Sequence, residues 1–123
     1  MDVRRLGKIG ENVVKNYLIS KGIKIIKTNF HSRYGEIDII AQDEKHIIFV
    51  EVKLRSLGSM FSGLERVDSA KQNKILRTAE IYLMDNLIEK QPRFDVAEVV
   101  FDSKYEHKEI YYIENAFEVK FGD

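Results

Sequence analysis

The segment from Gly35 to Arg55, GEIDIIAQDEKHIIFVEVKLR, constrains the fold more than any other part of the chain. Two runs of alternating apolar and polar residues flank the polar stretch DEKH, and this pattern predicts a hairpin of two antiparallel strands. The strands carry Glu36, Asp38 and Glu51 in their interiors, where Asp and Glu are disfavoured. The hairpin therefore commits the chain to a β-sheet and raises the question of what these carboxylates do.

The other elements follow from hydrophobic periodicity and from turn residues. Apolar residues at helical spacing between Leu6 and Leu18, followed by Gly22, predict an amphipathic first helix. The 123 residues are enough for one core, so we expect a single domain over 1–123. Helices that cover a mixed sheet define an α/β (α+β) architecture. The predicted elements are a helix at 3–21, strands at 23–30, 36–42 and 47–55, a Gly- and Ser-rich mobile loop at about 56–67, a helix that begins at Ser69, and strands at 93–101 and 109–115.

The charge distribution is asymmetric, although the formal net charge is zero. Residues 1–35 contain eight Lys or Arg against two Asp or Glu, whereas residues 78–123 contain five against eleven. This asymmetry predicts a basic face near the first elements or, alternatively, two solvated surfaces without a partner. The chain has no Cys, which excludes disulfides and thiolate zinc sites, and its N-terminus has no long apolar run. We therefore expect a cytoplasmic protein that does not associate with membranes.

The register of the hairpin determines whether the carboxylates meet. If DEKH closes a loop of even length, acidic residues of the two strands fall opposite each other. Opposed Cβ atoms lie about 4.5–5.5 Å apart, and like charges at that distance destabilise a sheet. The period of two also predicts that Ile37 and Ile39 share one face of their strand, opposite the face of Ile40. The predicted cross-strand pairs are Gln42 with Ile47, Asp38 with Glu51, and Glu36 with Lys53.

The repulsion between Asp38 and Glu51 can be relieved in three ways. Lys53, which shares a strand face with Glu51, can neutralise them, one acid can stay protonated, or a divalent cation can bind between them. The alternative is a structural charge cluster, in which Glu36 pairs with Lys53 and Asp38 pairs with a nearby Arg. The residues alone leave these alternatives open.

Two helical residues bear on this choice. Glu11 lies at the margin of the apolar face of the first helix, from which it can reach a neighbouring sheet. Gln72 lies in the first turn of the second helix, where Ser69-x-x-Gln72 predicts a capping box. Asp38, Glu51 and Glu11 would supply the hard oxygen ligands that Mg²⁺ prefers. A hydrated Mg²⁺ ion and a lysine that stabilises charge on a phosphoryl oxygen are what hydrolysis of a phosphodiester requires.

These residues resemble the PD-(D/E)XK nuclease superfamily, in which an Asp precedes a Glu-x-Lys motif on the next strand. The order helix, three strands, helix, strand is similar to the restriction-endonuclease-like core of that superfamily. More narrowly, the chain resembles the bacterial YraN family, which is related in pattern to archaeal Holliday-junction resolvases. The superfamily's Pro before the Asp is Ile37 here. The motifs that carry the narrower resemblance are N-x-x-x-R-x-GEID at 29–38, FVEVKLR at 49–55, the helix 71–82 and RFDV at 93–96.

The resemblance implies a nuclease site that depends on Mg²⁺ or Mn²⁺. The implied activity is that of an endonuclease, which hydrolyses DNA phosphodiester bonds in branched or damaged DNA during repair or recombination. Lys71 is implied as an alternative to its neighbour Gln72 as the helical residue that supports the site. The residues implied for the site are Asp38, Glu51, Lys53 and Gln72 as catalytic residues, with Glu11, Asp38 and Glu51 as metal ligands.

Basic and aromatic residues around this site are candidates for nucleic-acid contact. Arg33 and Tyr34 lie at the open end of the hairpin, where they could bind a phosphate or stack on a base. Alternatively, each of these side chains is merely solvated. The candidate contacts are Arg33, Tyr34, Arg55, Lys71 and Lys8.

Two other functions are consistent with the sequence. A nucleic-acid-binding module that keeps the fold but lacks turnover would bind DNA in a salt-sensitive, metal-independent way. An interaction domain would use its oppositely charged halves to bind protein partners. A homodimer would suit junction cleavage, although no residue pattern specifies one. Asp95 shares a strand face with Ala97 and Val99, so we expect it to be buried and to have a structural hydrogen-bonding role.

Overall fold

The computed structural model describes residues 3–57, 67–102, 104 and 108–118. Two helices and five strands follow one another in the predicted order, with β4 beginning and β5 ending two residues earlier than predicted. Most of the loop predicted to be mobile, at 56–67, lies outside the described residues. The elements are α1 (Val3–Ser20), β1 (Lys24–Ser32), β2 (Gly35–Gln42), β3 (His46–Ser56), α2 (Ser69–Asp85), β4 (Gln91–Phe101) and β5 (Lys108–Ile113).

The five strands form one mixed sheet in the order β1-β2-β3-β4-β5. β3 and β4 run parallel, and the other neighbours are antiparallel. Because parallel neighbours cannot be joined by a tight turn, the chain crosses between them through α2. The predicted α/β (α+β) architecture, a mixed sheet flanked by helices, is confirmed. Neither α1 nor α2, the helices of the described part of the chain, combines the length and the apolar character needed to cross a membrane.

Each face of the sheet is covered by one helix. On the α1 face, Val14 and Leu18 are fully buried against the central strands. On the α2 face, Ile75, Ala79 and Tyr82 pack against the same strands from the other side. Burial of one such large apolar side chain stabilises the fold by about 1.5–3 kcal/mol. The two apolar clusters therefore hold β2, β3 and β4 as a rigid centre.

The register between β2 and β3 is the one predicted for an even loop. Gln42 pairs with Ile47, and the pairing continues as far as Ile39 with Val50. The predicted pairs of Asp38 with Glu51 and of Glu36 with Lys53 lie beyond this paired segment and are not formed as ladder pairs. The alternation along β3 is also confirmed, because Ile47 belongs to the α2-face cluster and Val50 to the α1-face cluster. β3 is buried from Ile47 to Val50 and becomes partly exposed from Glu51 onwards. The candidate site thus begins where β3 leaves the core.

The predicted alternation along β2 is wrong. Ile37 and Ile40 both pack in the α2-face cluster, whereas Ile39 packs in the α1-face cluster. The change of face falls at Asp38, between Ile37 and Ile39, which is also where the pairing of β2 with β3 ends. On β1, Asn29 has a left-handed φ of 53° at the same level of the sheet. Asp38 therefore lies at an irregular point of the sheet.

The start of α2 also differs from the prediction. Asp68 is the N-cap residue, and its carboxylate accepts a hydrogen bond from the Lys71 backbone N–H at 2.8 Å. The capping box predicted from Ser69 to Gln72 is wrong, because Asp68 stands one residue earlier and is an equally favourable cap. The Gln72 side-chain amide instead donates to the Val67 carbonyl at 2.7 Å. Gln72 therefore ties the helix to the segment that enters it.

α1 contacts the sheet closely at Gly10. A Cβ atom on Gly10 would overlap the methyl group of Leu54 on β3, whereas a Cβ atom on Gly7 would meet nothing within 4 Å. The helix therefore rests on β3 at Gly10 and stands away from the sheet one turn earlier.

We expect opposite effects of alanine at these two glycines. Gly7→Ala should raise the free energy of unfolding by about 0.5–1 kcal/mol, because alanine favours the helix over glycine. Gly10→Ala should lower it by about 1 kcal/mol or more, because the overlap with Leu54 outweighs the gain in propensity. Urea denaturation monitored by circular dichroism measures both changes. Equal stabilisation by the two substitutions would contradict the close approach at Gly10.

Candidate functional site

The site centres on Asp38, at the point where the pairing of β2 with β3 ends. Its Oδ2 atom accepts a hydrogen bond from the backbone N–H of Val52 at 2.7 Å. The carboxylate therefore reaches across to β3 and takes a donor that a backbone carbonyl of β2 would otherwise accept. Because Val52 stands between Glu51 and Lys53, this hydrogen bond brings the Asp38 carboxylate beside the Glu-x-Lys motif.

The surroundings of Asp38 disfavour its charged form. Burial, together with the nearby charge of Glu51 and to a lesser extent that of Glu36, raises the pKa of Asp38 to about 7. The hydrogen bond from Val52 and the charge of Lys71 act in the opposite direction. Asp38 and Glu51 are thus close enough to repel each other, as the sequence predicted, although Asp38 lies at an irregular point of β2.

Glu51 is stabilised by lysines from two elements. Its side chain is 12% exposed, and its Oε1 atom lies 3.6 Å from Nζ of Lys71 on α2. Burial raises the pKa of Glu51, and the charges of Lys71 and Lys53 counteract that increase. Of the two helical residues predicted to support the site, Lys71 therefore contacts an acid, whereas Gln72 is engaged with Val67.

Asp38 lines an open cleft of about 550 Å³ on the α1 face. Glu11 faces the same cleft, and its Oε1 atom accepts a hydrogen bond from the Asn29 amide at 3.2 Å. Lys8, a predicted nucleic-acid contact, also lines it. The walls carry side chains of both charges together with apolar side chains. The residues that line the cleft are Arg4, Gly7, Lys8, Glu11, Asn29, His31, Glu36, Asp38, Val52 and Leu54.

The predicted metal ligands are not gathered into one preformed cluster. Within the ranges that the structure describes, no group of three or more His, Cys, Asp and Glu side chains could enclose a metal ion. Glu51 lies in a small recess on the α2 face, whereas Glu11 lines the cleft on the α1 face. The donor chemistry nevertheless fits Mg²⁺, which commonly binds one or two carboxylates and keeps several waters. The mutual repulsion of Asp38 and Glu51 is the feature that such an ion would relieve.

The predicted contacts Arg33 and Tyr34 lie together at the turn between β1 and β2. Nη2 of Arg33 donates a hydrogen bond to the Tyr34 hydroxyl at 2.7 Å, and the guanidinium lies 4.9 Å from the ring centroid. This hydrogen bond is the main cause that lowers the pKa of the Tyr34 phenol. Arg55, in contrast, is only 22% exposed and points to Glu98 on β4.

Glu98 is a residue of this region that the sequence interpretation missed. It is fully buried, its Oε1 atom accepts from Nε of Arg55 at 2.9 Å, and its Oε2 atom has no hydrogen-bond partner among the described residues. It lies opposite Lys53 in the parallel ladder of β3 and β4. The signal that could have found it is a lone Glu in an apolar strand, since such a group needs a buried partner.

Asp95 has the structural role that its strand position predicted. It is 1% exposed and accepts hydrogen bonds from the Arg93 guanidinium, from the Tyr112 hydroxyl at 2.6 Å and from the Asn115 backbone N–H at 2.8 Å. These donors saturate the carboxylate, so Asp95 anchors β4 to β5 and to the segment that follows β5.

The fold and site together define a class: a mixed α/β domain with two neighbouring, partly buried carboxylates and two lysines where its central strands separate. The sequence profile of the uncharacterised protein family UPF0102 matches residues 10–99, and the chain belongs to this YraN-like family. The match extends from α1 into β4 and includes Glu11, Asp38, Glu51 and Glu98.

Several relatives match this chain over nearly its whole length. A UPF0102 protein of Clostridioides difficile is 44% identical over 118 residues, which are 95% of this chain and all of the relative. A UPF0102 protein of Caldicellulosiruptor bescii is 41% identical over 121 residues, again 95% of this chain and all of the relative. One from Alkaliphilus metalliredigens is 43% identical over 115 residues, 93% of this chain and 98% of the relative.

The raised pKa of Asp38 predicts a pH-dependent gain in stability for Asp38→Asn. The pKa lies above its ordinary value of 3.8, so the folded state binds this proton more tightly than the unfolded state. The stability that protonated Asp38 contributes is complete below about pH 4 and is lost as the pH rises towards 7. The amide introduced by Asp38→Asn stays neutral and can still accept from Val52, so the substitution should raise the free energy of unfolding at pH 8 by about 2 kcal/mol or more.

Urea denaturation between pH 4 and pH 8 tests this prediction. The advantage of Asp38→Asn should shrink steadily as the pH falls from 7 towards 4. Glu44→Gln, which neutralises an exposed acid in the turn before β3, is the matched control and should show no such trend. A difference between Asp38→Asn and the parent that does not change with pH would contradict the raised pKa.

Proposed function

We propose that this protein is a Mg²⁺-dependent endonuclease that hydrolyses DNA phosphodiester bonds, as in the PD-(D/E)XK superfamily that its sequence resembles. The observation that carries the proposal is the Asp38 carboxylate, which is bound to the Val52 N–H and repelled by Glu51. A scaffold domain gains nothing from two partly buried acids that repel each other, whereas a metal-dependent site uses them as ligands.

The residues of the chain have distinct roles in this proposal. Asp38 and Glu51 would hold the ion, with Glu11 as a further ligand from the cleft wall. When bound, Mg²⁺ supplies positive charge that polarises a phosphoryl oxygen and makes water more acidic. Lys53, half-buried beside Glu51, would orient the attacking water and offset charge on the phosphoryl group. Lys71 favours the ionised form of Glu51 and lies within ion-pair distance of it.

The substrate side of the proposal rests on charge and on the resemblance. Arg4 and Lys8 bring positive charge to the rim of the cleft that Asp38 lines. This charge supports binding to the phosphate backbone of DNA, although the chain as a whole is neutral. We further propose that the substrate is branched or damaged DNA and that the protein acts in repair or recombination in the cytoplasm. A homodimer would present two sites to a DNA junction.

A second candidate function is a nucleic-acid-binding module without turnover. It is favoured by the separation of Glu11 from Glu51 and by the engagement of Gln72 with the Val67 carbonyl. Such a module would bind DNA without a divalent cation, and binding would survive Glu51→Gln.

Cleavage assays on duplex, single-stranded and four-way-junction DNA with Mg²⁺ or Mn²⁺ test the proposal. We expect Asp38→Asn, Glu51→Gln and Lys53→Met each to lower the cleavage rate by a factor on the order of 10²–10³, because each removes a group that acts on the reacting phosphate. EDTA should abolish cleavage. Glu44→Gln serves as the control that changes charge away from the site and should cleave at the parental rate.

Two results would reject the enzymatic proposal. One is a folded parental protein that cleaves none of these substrates with either metal. The other is parental cleavage by both Asp38→Asn and Glu51→Gln, which would indicate a contaminating nuclease. DNA binding that needs no metal, in a protein that never cleaves, would favour the binding module instead.

A further inference from the structure

The turn between β1 and β2 is fixed against α2. The hydroxyl groups of Ser32 and Thr78 lie 2.7 Å apart within hydrogen-bond distance. Gly35 approaches the helix so closely that a Cβ atom on it would lie 3.4 Å from Cβ of Lys74. The residues at the tip of the turn are therefore held beside the exposed side of α2, and cannot move independently of it.

This contact places two guanidinium groups on one aromatic ring. The Arg33 guanidinium lies 4.9 Å from the centroid of the Tyr34 ring, and that of Arg77 from α2 lies 5.1 Å from it. Such cation–π contacts are worth about 0.5–1 kcal/mol each at exposed sites, enough to restrict side chains that would otherwise be mobile. The ring therefore holds together two like charges that would separate in solvent.

No acidic side chain within the described ranges forms an ion pair with Arg33, Lys74 or Arg77. Two basic residues near them differ in this respect, because Lys71 contacts Glu51 and Arg55 contacts Glu98. Concentrated positive charge without a counter-charge in the protein attracts polyanions. If these residues were ordinary solvated cations, each side chain would instead extend away from its like-charged neighbours.

The same cations continue the candidate site along α2. Lys71, Lys74 and Arg77 follow one another at intervals of three residues, so they form a row on one side of the helix. At a rise of 1.5 Å per residue, the row extends about 9 Å along the helix axis from the lysine beside Glu51. It ends at the β1–β2 turn, where Tyr34 holds the Arg77 guanidinium.

We propose that Lys74, Arg77 and Arg33 form a binding surface for the phosphate backbone of a nucleic acid, with Tyr34 as its positioning residue. This surface of Lys74, Arg77 and Arg33 is here called the α2 row. It leads from the neighbourhood of Glu51 to the β1–β2 turn and guides a nucleic-acid strand to the candidate site. Because guanidinium groups occupy the Tyr34 ring, the ring orders cations and does not stack on bases. The contact is therefore independent of base sequence. The inference rests on the proposed function only for the identity of the polyanion.

Fluorescence anisotropy with labelled duplex and single-stranded oligonucleotides in EDTA tests the surface without any cleavage. Lys74→Glu/Arg77→Glu should weaken binding of both oligonucleotides by about tenfold or more at low salt and reduce the slope of log K against log salt by about two. Lys24→Glu/Lys45→Glu reverses two exposed lysines at the opposite end of the sheet and should change binding less than twofold. Affinity for the α2-row variant equal to that of this control would overturn the proposal.

Substitutions of Tyr34 separate positioning from base stacking. Tyr34→Phe keeps the ring but loses the hydroxyl that accepts from Arg33, so it should weaken binding less than Tyr34→Leu. Tyr34→Leu releases both guanidinium groups and should weaken binding of duplex and single-stranded DNA to the same extent. A loss confined to single-stranded DNA would overturn the positioning role. Poly-glutamate is added as a competitor that carries the same kind of charge on a polypeptide. If it displaces DNA as well as unlabelled DNA does at the same concentration of charges, the assignment to nucleic acid is overturned.

These outcomes are distinguishable from a failure of the proposed endonuclease. Because binding is measured in EDTA, loss of affinity in the α2-row variant supports the surface even if the parental protein cleaves no DNA. Conversely, the parental protein could cleave DNA while Lys74→Glu/Arg77→Glu leaves its affinity for DNA unchanged. That result would support the endonuclease and reject the α2 row.

Discussion

The hydrogen bond from the Val52 N–H to the Asp38 carboxylate is the interaction that shapes the whole site. Two strands that pair regularly from Gln42 to Ile39 separate at this point, and a side chain replaces the backbone as the acceptor. That replacement draws a carboxylate into a partly buried position beside Glu51, where burial and like charge both disfavour ionisation. The sheet thus tolerates the local repulsion between two carboxylates, because the two apolar clusters on its faces stabilise the rest of the fold.

Both helices contribute to the region where the strands separate, from opposite faces of the sheet. α1 forms one wall of the cleft and presents Glu11 to it, while α2 brings Lys71 against Glu51. The parallel pairing of β3 with β4 adds Glu98, a buried acid that holds Arg55. The fold therefore surrounds one irregular point of the sheet with acids and fixes cations around them, an arrangement suited to a divalent ion and a polyanionic substrate.

The sequence was sufficient to predict the element order and the register of β2 with β3. A shift of the pairing by one residue would turn the apolar residues of one strand to the wrong face of the sheet, so the apolar pattern of the two strands specifies their register. The sequence was not sufficient for the alternation along β2, because the change of face between Ile37 and Ile39 leaves no trace in the apolar periodicity of β2. Asp68 displaced the predicted cap because adjacent residues compete for one position. Glu98 and the Arg77 contact with Tyr34 depend on tertiary packing, which no local pattern encodes.

Whether Asp38 and Glu51 share a divalent cation can be seen in crystals grown or soaked with Mn²⁺. We expect an anomalous-scattering peak within coordination distance of carboxylate oxygens of both residues, and no such peak in crystals of Asp38→Asn grown under the same conditions. Well-ordered carboxylates without a peak between them, or with Lys53 or Lys71 filling that space, would contradict a shared metal site.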